Sequence, residues 1–174
     1  MKQIPSCELH AVNGFSLRAS ASPIAWAAGR SPRAAIAGHE AILVDLEKGA
    51  PVVRRIRQEG EGVRIVPDRE TGSNVEWFRR TFRAHGTIER WDDPVIASLA
   101  KRHSGLHSYT DDSLFAGLVT SIIGQSISIA SAMSVQRRLA LTFRPGVEID
   151  GRTMAPLPSA EDLADAPVEL IRQS

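Results

Sequence analysis

Polar residues interrupt an apolar helical pattern in the segment 122–132. One apolar stripe ends at Gly124 and Gln125, and Ser126 and Ser128 follow before a second stripe begins. The pattern predicts two helices that meet at a tight corner, with Ser126 as the N-cap of the second. An exposed Gln amide beside free helix N–H groups suits contact with a phosphate or a base edge. The alternative interpretation is that Gln125 and Ser126 only cap two helices, because such corners are common.

A basic group lies on a different predicted helix, which begins at Ser73. Arg79, Arg80 and Arg83 follow that start, with Trp77 alongside. These arginines could contact a DNA backbone. The alternative is that they form the solvent-exposed face of an amphipathic helix, opposite its apolar stripe.

The remaining candidates indicate no metal site and no nucleophile. His103 and His107 are four residues apart, but Gly105 lies between them and no carboxylate completes a ligand set, which favours a solvated loop. Cys7 is the single cysteine, so an intramolecular disulfide and a cysteine-based zinc or iron-sulfur site are excluded. No general base lies near Cys7 in the sequence, and an inert thiol is expected.

Charge and hydropathy exclude further classes of protein. Lys and Arg number 21 and Asp and Glu number 20, so this is not a protein that coats nucleic acid by bulk charge. Apolar runs are shorter than a membrane span, and the first residues lack a signal-peptide pattern. We therefore expect a cytoplasmic protein with no membrane contact.

The first half of the chain has the pattern of a sheet. Three strands are predicted at 40–46, 51–57 and 63–67, joined by glycine-containing turns into an antiparallel meander. Apolar and polar residues alternate over 15–19, which predicts a further strand. The segment 19–37 is predicted to be a loop with a short helical piece.

Helical patterns follow. The capping-box spacing of Ser73 and Glu76 starts one helix, with Gly86 at its predicted C-cap, and Asp93 before a proline starts the next. A continuous apolar stripe over 114–123 predicts the most buried helix, begun by Thr110, Asp111 or Asp112. The fold class is therefore α+β, with a small antiparallel sheet domain over 1–90 and a helical region over 91–174.

The corner and its flanking motifs resemble a known enzyme family. These motifs are Leu114-Phe115 with Leu118-Val119, then Ile123-Gly124-Gln125 with Ile127-Ser128, then Leu157-Pro158-Ser159-Ala160-Glu161-Asp162-Leu163. Together they resemble the helix-hairpin-helix DNA glycosylases, most of all the bacterial 3-methyladenine DNA glycosylase II branch. The resemblance is strongest over 93–172.

The resemblance implies base-excision repair, in which an alkylated purine is flipped from duplex DNA and its N-glycosidic bond is cut. Gly124, Gln125, Ser126 and Ser128 would form the DNA-binding corner, which fills the vacated stack from the minor groove. The expected partner is double-stranded DNA with a damaged base, and neither a metal nor an organic cofactor is implied. Serine at 126 is a shorter wedge than the Leu or Gln of relatives.

A second departure concerns catalysis. Relatives continue beyond the position of Arg172 into a glycine-rich hairpin and a helix with the catalytic Asp. No catalytic residue is therefore assigned in 1–174, and Asp162 and Asp165 are interpreted as helix-start residues. The helical region is then an incomplete all-α glycosylase core, inactive as this truncated chain.

Two alternatives remain open. One is a non-catalytic DNA-binding module, or half of a split glycosylase completed by a separately encoded C-terminal half. The other is an α+β interaction domain unrelated to DNA repair, in which the Gly124-Gln125 match is accidental.

Overall fold

The computed structural model describes residues 7–9, 14–22, 24, 30–84, 92–111 and 113–173. Its strands, in chain order, are β1 (Cys7–Leu9), β2 (Ala34–Ala37), β3 (Glu40–Glu47), β4 (Ala50–Glu59), β5 (Gly62–Pro67), β6 (Val147–Ile149) and β7 (Arg152–Met154). Its helices are α1 (Leu17–Ser20), α2 (Asn74–Thr81), α3 (Pro94–Arg102), α4 (Leu114–Gly124), α5 (Ile129–Phe143), α6 (Ala160–Ala164) and α7 (Val168–Gln173). This confirms the α+β class.

Strands β1 to β5 form one antiparallel sheet in the order β1-β5-β4-β3-β2. The predicted meander of β3, β4 and β5 is confirmed. Its first turn holds Lys48 and Gly49 at positive φ, a conformation that glycine adopts at no steric cost. Strands β6 and β7 form a separate hairpin.

Both faces of the sheet are buried where β3 pairs with β4. On one face, Leu43 and Ile56 pack with Phe78 and Phe82 from the α2 region and with Phe15. Phe15 meets the Phe78 ring edge-on at 5.1 Å. This arrangement buries the aromatic face of α2 and fixes that helix on the sheet.

The β6–β7 hairpin covers the other face. Ile149 and Met154 pack on Ile42, Val44 and Val53. The chain then leaves the hairpin through Ala155 and Leu157, which pack with Ala116 of α4 and Ala140 of α5. The segment after β7 therefore connects the sheet to the helix pair that carries the predicted corner.

An ion pair closes the turn of this hairpin onto the sheet. Arg55 of β4 donates to both carboxylate oxygens of Asp150, each at 3.0 Å, and also to Glu40 at 2.9 Å. These hydrogen bonds from Arg55 hold the pKa of Asp150 below its ordinary value.

Two predicted elements differ from the structure. The strand predicted at 15–19 is helix α1, because the Ser16 hydroxyl accepts from the Ala19 N–H at 3.2 Å and caps a helical turn. The loop predicted at 19–37 contains edge strand β2, which pairs with β3. The predicted C-cap Gly86 and the domain boundary near 90 lie outside the described residues.

Helix α4 differs in two ways. Ser113 is its N-cap, rather than Thr110, Asp111 or Asp112, because its hydroxyl accepts from the Ala116 N–H at 3.1 Å. The prediction that α4 is the most buried helix is wrong, since only Ala116 and Val119 are buried and Leu114 is 92% exposed. Ala116 of α4 packs with α5 and the segment after β7, whereas Leu114, Leu118 and Ile122 are exposed.

A buried guanidinium joins β4 to α2. Arg54 is 2% exposed, lies 4.6 Å over the Trp77 ring, and donates to Asn74 and Glu47. Asp45, also buried, pairs with Arg54 and accepts from the Trp77 indole at 2.7 Å.

Replacing Arg54 should therefore be severe. Arg54→Met leaves Asp45 and Glu47 without their cation, and we expect the free energy of unfolding to fall by about 3 to 5 kcal/mol in denaturant titrations. Arg57→Met is the control on the same strand, because Arg57 is 62% exposed and its ion pair with Glu40 contributes at most about 1 kcal/mol. Equal losses for the two variants would contradict the assigned role of Arg54.

Candidate nucleic-acid interface

The predicted corner between α4 and α5 is present, with the four candidate residues adjacent on the surface. Helix α4 ends at Gly124, and Gln125 is its C-cap, with φ −69° and ψ 130°. The Gln125 N–H donates to the Ile122 carbonyl at 3.2 Å. The chain turns at Ser126, which has φ +61°, and α5 starts after Ser128.

Ser128, rather than Ser126, caps α5. The Ser128 hydroxyl accepts from the Ser131 N–H at 3.1 Å and lies 2.9 Å from the Ser131 hydroxyl. Ser126 cannot act as the cap because it lies two residues earlier, in the left-handed turn. The interpretation of Gln125 as a cap holds for its backbone, whereas the cap assigned to Ser126 is corrected to Ser128.

The side chain of Gln125 is available for contacts. Residues 124–129 are all exposed. Within the described part of the chain, no hydrogen bond engages the Gln125 amide. Gly124 has no atom within 4 Å of the position where a Cβ would lie, so another molecule can approach its backbone closely. The corner therefore presents a free amide beside an open stretch of backbone.

Two of the three predicted basic residues, Arg80 of α2 and Arg83 just beyond its end, lie along a groove that leads toward this corner. Arg80 and Arg83 are exposed and line a groove of about 730 Å³ together with residues of α4 as far as Ser121. Ser121 precedes Gln125 by four residues, roughly 6 Å of helical rise. Trp77 takes no part in this surface, because it is buried against Arg54 and Asp45.

Two carboxylates in the last part of the chain, Asp150 and Asp162, have arginine partners. Asp162 accepts from the Ser159 N–H at 2.8 Å in a capping box and pairs with Arg144, which confirms its interpretation as a helix-start residue. Asp165 was also predicted to be a helix-start residue, but it is the C-cap of α6. Asp150 is held by Arg55 in the hairpin turn.

The two histidines differ from each other. His103 is the exposed C-cap of α3. His107 is half-buried, and its ring packs on Phe15 at 5.4 Å, so the predicted solvated loop does not describe it. In the part of the chain with described coordinates, no group of three or more His, Cys, Asp or Glu side chains is arranged to hold a metal. None of the described helices is both long enough and apolar enough to cross a membrane.

Solved structures of DNA glycosylases share this architecture. The 3-methyladenine DNA glycosylase from Archaeoglobus fulgidus matches with a TM-score of 0.75 at 19% identity, over 96% of this chain and 61% of its own. The apo 8-oxoguanine glycosylase/lyase from Clostridium acetobutylicum matches with a TM-score of 0.68 at 16% identity, over 97% of this chain and 57% of its own. The same enzyme with double-stranded DNA that contains cytosine opposite 8-oxoguanine gives a TM-score of 0.65 at 16% identity, over 92% of this chain and 54% of its own.

The fold is that of a DNA glycosylase. The predicted resemblance to DNA glycosylases is thereby confirmed at the level of the fold. The chain spans less than two thirds of the length of each of these structures. Its sequence matches no family profile and no curated protein.

One polar residue in the helical core of this glycosylase fold was missed by the sequence analysis. Gln136 is 3% exposed on α5, on the same side as Ala132, Leu139 and Ala140. A glutamine at helical spacing within an apolar stripe was the available signal. Such a residue needs hydrogen-bond partners in the interior.

The left-handed turn at Ser126 should restrict what this position tolerates. Ser126→Gly should change the free energy of unfolding by less than about 1 kcal/mol, because glycine adopts φ +61° without strain. Ser126→Val should cost about 1 to 3 kcal/mol, because a β-branched residue is disfavoured there. Denaturant titrations of the two variants measure the difference. If valine is tolerated as well as glycine, the turn does not depend on this conformation.

Proposed function

We propose that the chain is the DNA-contacting part of a base-excision DNA glycosylase. The observation that carries the proposal is the free Gln125 amide at an exposed helix corner, in a fold shared with DNA glycosylases. The matching corner motif supports an assignment to the bacterial 3-methyladenine DNA glycosylase II branch. Its substrate would then be an alkylated purine in duplex DNA, and the protein would be cytoplasmic.

The corner suits insertion beside a flipped base. Extrusion of a base costs a few kcal/mol of stacking and pairing, which a polar or apolar wedge can partly offset. Gln125 has the length and the amide donors and acceptor for this position, and Ser126 behind it is too short to fill the stack. Ser128 and the first N–H groups of α5 lie next to it, where a DNA phosphate would be stabilised by a helix N-terminus.

Bond cleavage requires a group that stabilises the positive charge developing on the sugar. Asp150 and Asp162 are each engaged by an arginine, and Asp162 also caps α6. We therefore assign no catalytic residue to this chain. The catalytic carboxylate would come from further polypeptide, in the same chain or in a separately encoded C-terminal half.

The outer face of α4 supports contact with such polypeptide. Leu114 is 92% exposed, Leu118 54% and Ile122 57%. These side chains form one stripe at helical spacing, and an apolar stripe on a glycosylase core is expected to be covered. The greater length of the matched structures agrees with this interpretation.

Binding to damaged DNA tests the role of Gln125. Gln125→Ala should weaken binding to a duplex with an abasic-site analogue by about 1 to 3 kcal/mol, the scale of one stacking or base-edge contact. Fluorescence anisotropy at fixed salt measures the Kd.

Thr142→Ala is the matched control, because Thr142 is an exposed residue of α5 roughly 20 Å along the helix from Ser128. Its Kd and the melting temperatures of both variants should match the unmodified chain. If Gln125→Ala lowers the melting temperature but binds the abasic duplex normally, Gln125 is only a structural cap.

Glycosylase assays test the proposed origin of the carboxylate. Residues 1–174 alone should release no methylated purine from alkylated duplex DNA above a heat-inactivated control, because Asp150 and Asp162 are each held by an arginine. Release that survives Asp150→Asn and Asp162→Asn would place catalysis on another residue of this chain. Release abolished by either variant would identify a catalytic residue that the proposal lacks.

The engaged carboxylates also favour a second candidate, a DNA-binding module without catalysis. It predicts the same loss of affinity in Gln125→Ala but no glycosylase activity under any condition. An interaction domain unrelated to repair predicts no duplex affinity at all, which the same anisotropy titration measures.

A further inference from the structure

One edge of the five-stranded sheet is formed by β2, which pairs with β3 and with no other described strand. The Val44 N–H donates at 2.7 Å to the carbonyl of the residue before β2, which fixes the antiparallel hydrogen-bond pattern. In that alternating pattern, Ala35 and Ala37 direct their backbone groups to β3. The backbone groups of Ala34 and Ile36 therefore point to the outer edge of the sheet.

Three of these outer backbone groups are available to a further strand. The Ala34 N–H is used locally, since it donates to the Ser31 hydroxyl at 3.2 Å. Within the described residues, no backbone hydrogen bond beyond the β2–β3 pair engages the Ala34 carbonyl or the N–H and carbonyl of Ile36. Strand β2 has the sequence Ala-Ala-Ile-Ala, without the charges or proline that prevent pairing at exposed edges. An extended polypeptide segment can thus add to this edge by main-chain pairing.

A groove of about 290 Å³ lies beside this edge, between β2 and the β6–β7 hairpin. The Ala155 N–H donates to the Pro32 carbonyl at 2.8 Å, which places the end of β7 beside the start of β2. At that end, the groove is lined by Met154 and by Ile42, the pairing partner of Ala35. The groove therefore suits an apolar side chain opposite Ala35.

The other end of the groove is charged. Asp150 in the hairpin turn is held by Arg55. Arg55 also donates to Glu40, the pairing partner of Ala37, so both carboxylates are already engaged by a cation. Arg152 lines the same groove and is exposed, and it takes part in no hydrogen bond or salt bridge with any residue that the structure describes. A carboxylate on the occupant would complement this cation.

We propose that β2 and this groove bind an extended, acidic segment of another protein as a sixth, antiparallel strand. One residue of the segment exchanges both backbone hydrogen bonds with Ile36. Its two neighbours point into the groove, because directly opposed residues of paired strands share a face of the sheet. An acidic residue opposite Ala37 then meets Arg152, and an apolar residue opposite Ala35 meets Met154. In chain direction, the recognised pattern is an acidic residue, any residue and an apolar residue.

A second copy of this chain is a poorer occupant. If β2 paired with β2 of another copy, the residues facing each groove would be alanines, since the strand contains no acidic residue. Arg152 would then remain without a carboxylate partner. The charge of the groove thus favours a different protein.

The peptide fluorescein-Thr-Glu-Thr-Val-Thr-amide is the probe, and residues 1–174 are the protein. Fluorescence anisotropy should show saturable binding. Methylation of the central threonine nitrogen should weaken binding at least tenfold, because that N–H donates to the Ile36 carbonyl. Methylation of the valine nitrogen is the matched control and should change the Kd less than threefold, because the valine N–H points away from β2.

Arg152→Glu tests the charge of the groove. This variant should bind the glutamate peptide at least tenfold more weakly than the unmodified chain does, and it should bind the peptide Thr-Lys-Thr-Val-Thr more tightly. Arg102→Glu is the matched control, because Arg102 is an exposed arginine of α3 and lies outside the groove. It should keep the affinity for both peptides.

Gln125→Ala separates this surface from the proposed function. That variant should bind the glutamate peptide normally even where it loses affinity for abasic DNA. The absence of saturable binding, equal effects of the two methylations, or an unchanged affinity in Arg152→Glu overturns the proposal. Dimerisation of the chain that the peptide reverses in sedimentation velocity would assign the edge to a second copy and also overturn it.

Discussion

Burial of both faces of the β3–β4 strand pair is the constraint on which the rest of this structure depends. Alternate residues of these strands point to opposite sides, so each face needs its own cover. The aromatic side of α2 covers one face, and the β6–β7 hairpin covers the other. The hairpin is far along the chain, and it brings α4 and α5 to the sheet through the residues that follow it.

This arrangement explains how an exposed corner can be held in a defined position. The contacts between α4 and α5 use small residues such as Ala116 and Ala140, which allow close packing of the two helices. The turn between them can then be short, with one left-handed residue and a serine cap. Gln125 is thereby oriented by backbone geometry and by the caps on either side, while its own side chain remains free for a ligand.

Many of the strands and helix starts could be predicted from the sequence where local signals are strong. The β3–β5 meander has alternation and glycine turns, and the starts of α2 and α3 have Ser73 and Asp93 as caps, as predicted. The signals failed where two local interpretations compete. Phe15 and Leu17 are separated by one polar residue and share a core, as in a strand, but that polar residue, Ser16, caps a helical turn that begins at Leu17.

The position of the corner between the two helices was predicted from the sequence, but its caps were not. The break in the apolar stripe identified the corner at Gly124, Gln125, Ser126 and Ser128. The N-cap of α5 was predicted at Ser126 but is Ser128, because residue types alone do not reveal the left-handed turn at Ser126. The prediction that α4 is the most buried helix was wrong. An apolar stripe indicates which helix face needs to be covered, but it does not show whether another element of the chain covers it. Gln136 was overlooked because a single polar residue in a stripe resembles an ordinary exposed position until the neighbouring helix is placed.

The central claim is that the corner at Gly124–Ser128 contacts DNA, and amide chemical shifts of the isotopically labelled chain test it most directly. On titration with a duplex that contains an abasic-site analogue, the account predicts the largest shift changes at Gly124, Gln125, Ser126 and Ser128, including the side-chain amide of Gln125. An undamaged duplex should give smaller changes at the same residues. Changes confined to other surfaces, with these four residues and the Gln125 amide unmoved, would contradict the account.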